Sequence, residues 1–302
     1  MTAPAVPLAR PIALPTVLLI VLCCACWGLA QVAIKTANLG ITPVFQSALR
    51  SGGSAILVLI WCWARRIPLF ERDGTLIPGI VAGLLFAGEF FLIFIALQYT
   101  EVSRSTLLLY TSPFVVAIGT HFFVAGDRMT LPKLTGLIAA FGGLVLVFGG
   151  DIHAPSRQQV IGDVMMVGAA IVWGATTVVV KATKLSRASA EKTLLYQLVV
   201  SAVALFAYAG ISGERGIFDP KPIVMLAIAY QIVIVAFISY MTWFWLITRY
   251  SASKLASFTF LTPAFAVLFG GLLLNERVTP LILGALAMIA VGIWLVNRPV
   301  RV

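Results

Sequence analysis

Residues 14–36 read LPTVLLIVLCCACWGLAQVAIKT, a run of 23 residues whose only formal charge is Lys35. A helix needs about 20 predominantly apolar residues to cross the hydrocarbon core of a bilayer. The run is long for the apolar region of a signal peptide, and no small-residue cleavage site follows it. We therefore expect it to remain in the mature chain as a membrane-spanning helix.

Similar apolar runs recur along all 302 residues, of which 61% are hydrophobic and 11% charged, with a mean hydropathy of +1.04. Soluble domains carry about 25% charged residues, and a single soluble core stops growing near about 250–300 residues. We therefore predict an all-α integral membrane protein with short connections between its helices. Ten helices are expected, at 14–36, 44–63, 77–97, 105–123, 132–150, 163–182, 193–212, 223–247, 255–274 and 280–297.

The formal net charge of +10 comes from Lys and Arg residues that lie mostly in the connections. Thirteen of them fall on the side of the N terminus and five on the other side, and the positive side of a membrane protein faces the cytoplasm. We predict a multi-pass protein of the inner (cell) membrane with both termini in the cytoplasm. The positive charge is therefore read as topogenic, and no nucleic-acid partner is expected.

Metal, redox and ATP-driven chemistry are not expected from this sequence. The four cysteines lie inside apolar runs and the two histidines are far apart, which argues against a zinc site and a disulfide framework. No Gly-Lys-Ser/Thr phosphate loop occurs. We expect no cofactor, no metal and no catalytic residue, so that a gradient or a partner must drive any transport.

The two halves of the chain share three sequence blocks in the same order. Five helices per half is an odd number, so the second half must cross the membrane in the opposite sense to the first. Inverted repeats of this kind place the substrate site where the halves meet and provide two nearly equivalent states for alternating access. We predict repeats at 1–150 and 151–302 around a central cavity, in a chain for which a monomer suffices. The matched blocks are Trp27-Gly28 with Lys35 and Trp173-Gly174 with Lys181; Val102-Ser103-Arg104 with Pro113 and Ala252-Ser253-Lys254 with Pro263; and residues 126–130 and 275–279.

These Trp-Gly openings, the fourth-helix prolines and the Asp/Glu-Arg-x-Thr turns resemble the drug/metabolite transporter superfamily, in its EamA-type ten-helix branch. The resemblance spans the whole chain. It implies export or exchange of amino acids, related metabolites or drugs through a cavity lined by the first, third and fourth helices of each half. The aromatic content is also similar to that of the aromatic-amino-acid exporters of this branch.

Glu89 is the charge that most needs an explanation, because it lies twelve residues from one end of its predicted helix and eight from the other. A charge at that depth costs about 2.5–3.5 kcal/mol on insertion scales. It is either a ligand for a substrate amine, a proton-coupling carboxylate or a carboxylate paired for packing. Its counterpart in the second half, Ser239, is uncharged, so the site would be chemically asymmetric.

Further candidates follow from helical spacing and depth. Residues four apart share one helix face, and polar or aromatic residues too deep for the membrane interface suit a cavity wall, although ordinary helix packing is the alternative. We also expect hinges at Pro113 and Pro263, as mid-helix prolines that each free a backbone carbonyl. Lys35, Lys181 and Arg50 lie within a turn or two of helix ends, where long side chains can reach the headgroups. This interpretation is favoured for Lys181, whereas contact with a substrate carboxylate stays open for Lys35 and Arg50. The predicted cavity residues are Glu89, Trp27, Gln31, Tyr110, Trp173, Thr177, Ser239, Tyr240 and Trp243.

The function predicted from these features is secondary transport of small polar metabolites, chiefly amino acids including aromatic ones. Efflux of drugs or amphipathic amines is the alternative within the same class. A membrane-embedded lipid-modifying enzyme would need a cluster of nucleophile, base or metal ligands at depth, and a single carboxylate does not supply such a cluster. A channel would have no need for matched halves, and a scaffold would not explain Glu89.

The topology predicts that cysteines introduced at Ser156 and Ser189 lie on opposite sides of the membrane. In a background without the four native cysteines, an impermeant thiol reagent should label position 156 in intact cells and position 189 only after permeabilisation. Labelling of both positions from the same side would remove the inverted-repeat prediction.

Overall fold

The computed structural model describes residues 13–69, 71, 73–96, 98–99, 105, 108–148, 156–274 and 281–297. Over these residues the chain is helical, and its one β feature is an isolated antiparallel bridge between Ile41 and Ile217. Six helices are long and apolar enough to cross a membrane, namely those at Leu14–Ala37, Pro43–Ala64, Leu76–Ala96, Arg157–Ala182, Ala190–Ile211 and Pro222–Arg249. A multi-pass membrane protein is thereby confirmed.

The helices agree closely with the predicted spans, and their bounds differ mostly by a few residues. Three shorter apolar helices accompany the six long ones. The block at 102–104, the turn at 275–279 and the boundary at 150 and 151 lie outside the described residues. In chain order the helices are α1 Leu14–Ala37, α2 Pro43–Ala64, α3 Leu76–Ala96, α4 Ser112–Phe123, α5 Leu131–Phe148, α6 Arg157–Ala182, α7 Ala190–Ile211, α8 Pro222–Arg249, α9 Ala252–Phe258, α10 Leu261–Leu274 and α11 Leu281–Asn297.

The predicted fourth and ninth spans are not continuous helices. A turn at residues 110–111 precedes α4, and a turn at residues 259–260 separates α9 from α10. Pro113 is the second residue of α4 and Pro263 the third residue of α10. The first N–H groups of a helix have no intrahelical acceptor, so neither proline frees a carbonyl in mid-helix and that part of the prediction is wrong. Their role as hinges stays a prediction.

Helix α8 widens to a π-helical segment at Gln231–Ser239 before resuming as α-helix at Tyr240. Such segments are uncommon and occur frequently at functional sites. At its end, Ser239 Oγ donates a hydrogen bond of 2.5 Å to the carbonyl of Val235. Helix α3 has no such segment.

Most of the helix packing joins residues 13–148 to residues 156–297. Helix α3 packs on α6 and α7, α1 packs on α8 and α10, and α2 packs on α7 and α8. Helix α4 packs on α6, and α5 packs on α11. The core is therefore shared between the two halves of the chain.

The glycines of the two Trp-Gly blocks allow two of these helix pairs to approach closely. A Cβ atom at Gly28 of α1 would lie 2.8 Å from the backbone nitrogen of Ala266 in α10. A Cβ at Gly174 of α6 would lie 2.5 Å from Cγ1 of Val115 in α4. Small residues at such points permit the backbone approach that drives helix association in membranes.

Three carboxylates join connections of one half to helix starts of the other. Asp127 accepts Lys133 Nζ at 2.6 Å, the backbone N–H of Ser253 at 3.1 Å and the Ser253 hydroxyl. Burial acts to raise the pKa of Asp127, but Lys133 and Ser253 outweigh it and hold that pKa below its ordinary value. The others are Asp73 with Lys192 Nζ at 2.8 Å, and Glu214 with the Thr42 hydroxyl and Phe45 N–H at 2.8 Å each.

The close approach at Gly28 predicts that Gly28→Ala destabilises the protein by about 1–3 kcal/mol, because the methyl group meets backbone atoms that cannot move aside cheaply. Gly210→Ala is the matched control, since a Cβ at Gly210 in α7 meets nothing within 4 Å. The melting temperature in detergent should fall for Gly28→Ala and hold or rise for Gly210→Ala. Equal melting temperatures for the two variants would contradict the packing argument.

Candidate functional site

A cavity of about 100 Å³ lies among α1, α2, α3, α6, α7 and α8, beside the turn that precedes α4. Its walls come from both halves of the chain. Seven of the nine predicted cavity residues line it: Glu89, Trp27, Tyr110, Trp173, Thr177, Tyr240 and Trp243. The cavity is the site at which these separately predicted residues come together.

Glu89 is buried in α3, with 6% of its surface exposed. Phe86, Phe90 and Ile93 line the same cavity, which matches the spacing of one helical face. Because Phe86, Phe90 and Ile93 are themselves buried, this face is turned away from lipid. The carboxylate predicted at depth therefore lies at the cavity wall.

Arg50 lines the cavity although it is not among the nine predicted cavity residues. It lies in α2 and is 2% exposed, which excludes the headgroup interpretation and leaves contact with a ligand, the other interpretation that the sequence left open. Its guanidinium carbon lies 3.6 Å from the centre of the Phe90 ring and 6.0 Å from that of Tyr240. Its Nε and Nη2 atoms are buried without a hydrogen-bond partner.

Arg50 and Glu89 both line the cavity without forming a direct ion pair with each other. The ion pairs found among the described residues join other side chains. Neither Arg50 nor Glu89 is therefore neutralised by contact with the other. Each keeps hydrogen-bonding capacity for a third group.

Aromatic rings from both halves form the rest of the wall. Trp27 of α1 meets Trp243 edge to face, with ring centres 5.4 Å apart, and Tyr240 at 6.1 Å. Phe86 meets Tyr240 at 5.9 Å. Tyr110 and Trp173 form a similar pair at 5.8 Å. These edge-to-face contacts fix ring orientation and leave ring faces for a planar or cationic ligand.

Ser239 is among the predicted cavity residues but does not line the cavity. Its Oγ accepts a hydrogen bond of 2.8 Å from the indole N–H of Trp27, while it donates to Val235. Ser239 therefore holds Trp27 from behind the wall. The other unconfirmed position is Gln31, which belongs to α1 and whose side chain lies outside the described part of the structure.

The two lysines of the repeated blocks are not cavity residues. Lys35 is exposed at the end of α1. Lys181 Nζ donates a hydrogen bond of 2.7 Å to the backbone carbonyl of Tyr250, between α8 and α9. A lysine near a helix end can thus satisfy a carbonyl of another element instead of reaching the headgroups.

Gln197 of α7 is a second cavity residue that the sequence analysis missed. It is fully buried, and neither its Oε1 nor its Nε2 has a hydrogen-bond partner. A signal for it does exist in the sequence, since Gln197 follows Arg50 by 147 residues, close to the offset of the repeated blocks. The neighbouring residue on the cavity wall, Thr176, was likewise not predicted.

Comparisons with known proteins agree with a transporter fold. The model of the EamA-like transporter family matches twice, over residues 14–149 and 160–298. An uncharacterized transporter of Bacillus subtilis, YoaV, is 25% identical over 271 residues, which cover 89% of this chain and 92% of that protein. A probable amino-acid metabolite efflux pump of Escherichia coli is 23% identical over 277 residues, covering 89% and 90%. A crystal structure with 19% sequence identity superposes with a TM-score of 0.78 over 94% of this chain and 96% of that one.

The hydrogen bond between Trp27 and Ser239 predicts that the two residues are energetically coupled. Ser239→Ala leaves a buried indole N–H unsatisfied, which costs about 1–3 kcal/mol. Trp27→Phe should therefore cost measurably less in the Ser239→Ala background than in the wild type. Unfolding free energies of the four proteins in detergent check this, and additive effects would show that Ser239 does not hold Trp27.

Proposed function

Because this chain belongs to the EamA-like transporter family, we propose that it is a secondary transporter that exports or exchanges small polar metabolites by alternating access. Amino acids, including aromatic ones, are the proposed substrates. The observation that carries this proposal is the cavity, in which a buried carboxylate faces aromatic rings supplied by both halves. The relative in Escherichia coli whose name refers to amino-acid metabolite efflux supports the substrate class.

We propose that ten spans form two inverted repeats, with α9 and α10 together making the ninth span. The helix packing supports this arrangement, because exchanging the halves turns each main contact into another one. The contact of α3 with α6 corresponds to that of α8 with α1, and the contact of α4 with α6 to that of α10 with α1. The pairs α2 with α7 and α5 with α11 correspond to themselves.

Two further observations support the repeat. The family matches the chain once in each half. Gly28 meets Phe265 and Ala266, whereas Gly174 meets Val115 and Val116, which are 150 residues earlier. A single chain then builds both sides of the cavity, and a monomer in the inner membrane with cytoplasmic termini is the proposed functional form.

Efflux of amphipathic amines is the competing function, and Glu89 beside aromatic rings would suit a cation. The Arg50 guanidinium in the same cavity opposes it, since a lone cation would be repelled there. The residues that line the cavity include neither histidine nor cysteine. The cavity therefore offers few of the groups that a membrane-embedded enzyme would need for catalysis. Transport of a solute with both polar and apolar groups is the function that uses both the charged and the aromatic parts of the wall.

The proposal predicts that Glu89→Gln lowers transport of a radiolabelled amino acid into proteoliposomes by an order of magnitude or more. The variant keeps shape and hydrogen-bonding capacity but removes a charge-assisted contact worth about 1.5–3 kcal/mol. Glu71→Gln is the control, because Glu71 is an exposed carboxylate outside the cavity. Expression and melting temperature should change little in both variants.

Measurement over a range of pH separates the two roles of the carboxylate. A shifted pH optimum with intact substrate affinity indicates that Glu89 carries a coupled proton, and a loss of affinity indicates a substrate ligand. Loss of folding in Glu89→Gln would favour a packing role. Full transport at every pH would overturn the assignment.

A further inference from the structure

Two buried polar stripes lie on α2 and α7, two helices that pack on each other. Their members recur every four residues, which places each set on one helical face. The stripe of α7 repeats that of α2 at a constant offset of 147 residues. The stripes consist of Gln46, Arg50 and Ser54 in α2 and of Thr193, Gln197 and Ser201 in α7, each 2% exposed or less.

Arg50 and Gln197 are the members of these stripes that line the cavity. Two guanidinium nitrogens of Arg50 and both amide atoms of Gln197 lack hydrogen-bond partners. A buried donor or acceptor without a hydrogen-bond partner costs free energy. A ligand that bonds to the group removes that cost. A planar guanidinium fork is the side chain best matched to a carboxylate, which it can bind with two parallel hydrogen bonds.

The cavity wall also carries a group of the opposite charge, Glu89. An ionised Glu89 carboxylate acts only as a hydrogen-bond acceptor, and no direct ion pair with Arg50 satisfies it. The charges of the two residues sum to zero, so a ligand without net charge but with separated charges of both signs leaves neither residue uncompensated. The rings of Trp27, Tyr240 and Trp243 line the remaining wall and suit an apolar or aromatic substituent.

We propose that Arg50, assisted by Gln197, binds the carboxylate of an α-amino acid while Glu89 binds its ammonium group, so that the site selects zwitterions. This inference rests on the proposed function and adds to it the chemical feature that is recognised. An amine without a carboxylate leaves Arg50 buried and unpaired, and a carboxylate without an amine does the same to Glu89. Breaking one side of a buried charge pair is strongly unfavourable.

Three ligands that differ only in their end groups test the proposal: L-phenylalanine, phenethylamine and hydrocinnamate. Each is used to compete with radiolabelled L-phenylalanine for wild-type protein in proteoliposomes and for purified protein in detergent. The expected result is competition by phenylalanine at least tenfold stronger than by either analogue, since each analogue lacks one charge-assisted contact.

Arg50→Gln should weaken phenylalanine and hydrocinnamate by about tenfold or more and leave phenethylamine unchanged or stronger. Arg50→Lys should give an intermediate loss, because it keeps the charge without the fork. Arg65→Gln is the control, since Arg65 follows the same helix, is exposed and stacks on Trp61 outside the cavity. Its three affinities should equal those of the wild type.

Gln197→Glu keeps the test decisive if Arg50→Gln does not fold. The new carboxylate has the same shape as the amide but repels a bound carboxylate. It should weaken phenylalanine and hydrocinnamate and not phenethylamine. Equal losses for all three ligands in this variant would indicate a packing role for Gln197 and overturn its part in the site.

The outcomes separate this proposal from the function on which it rests. Transport of phenylalanine that phenethylamine inhibits equally well, or that Arg50→Gln leaves unchanged, overturns the zwitterion site and leaves the transporter proposal standing. Equal losses for the three ligands in Arg50→Lys overturn it as well. Absence of transport of every labelled amino acid overturns the proposed function and the zwitterion site with it.

Discussion

The free-energy cost of placing charge in hydrocarbon is the constraint on which this structure depends. In a bundle whose outer surface meets lipid, Arg50 and Glu89 can exist at depth only where protein surrounds them. The packing of α2 and α3 against α6, α7 and α8 supplies that surrounding. At the cavity both charged side chains are shielded from lipid but remain accessible to a ligand.

The same constraint links the cavity to the close helix contacts around it. Membrane helices gain little from hydrophobic burial against each other, so they associate through tight packing and polar contacts. Gly28 and Gly174 supply the tight packing on equivalent sides of the site. Asp127, Asp73 and Glu214 supply polar contacts where the helices leave the membrane. The helices that form the cavity are therefore joined by close contacts at depth and by polar contacts at their ends.

The sequence predicted the class of the fold, most helix bounds and seven residues of the cavity wall, because depth in an apolar run and spacing along a helix are properties of the sequence alone. The sequence did not predict the features that depend on contacts with other helices. Arg50 lies only eight residues into α2, so its position along the chain resembles that of a residue at the headgroups, and only the packing of α7 and α8 on α2 shows that it is buried. Ser239 was correctly read as deep, but its hydrogen bond to Trp27 depends on the relative position of α1 and α8. The turn before Pro263 depends on backbone hydrogen bonds that composition does not encode.

Symmetry and asymmetry serve different purposes in this molecule. The backbone contacts come in pairs related by exchange of the halves, as alternating access between two similar states would require. The chemical groups at the cavity break that relation, because Glu89 corresponds to Ser239 and Arg50 to Gln197. A symmetric set would place two carboxylates or two guanidinium groups in one small cavity, where like charges oppose each other. A ligand with two different ends needs two different partners, so the proposed zwitterion site is compatible with a backbone whose helix contacts are paired between the halves.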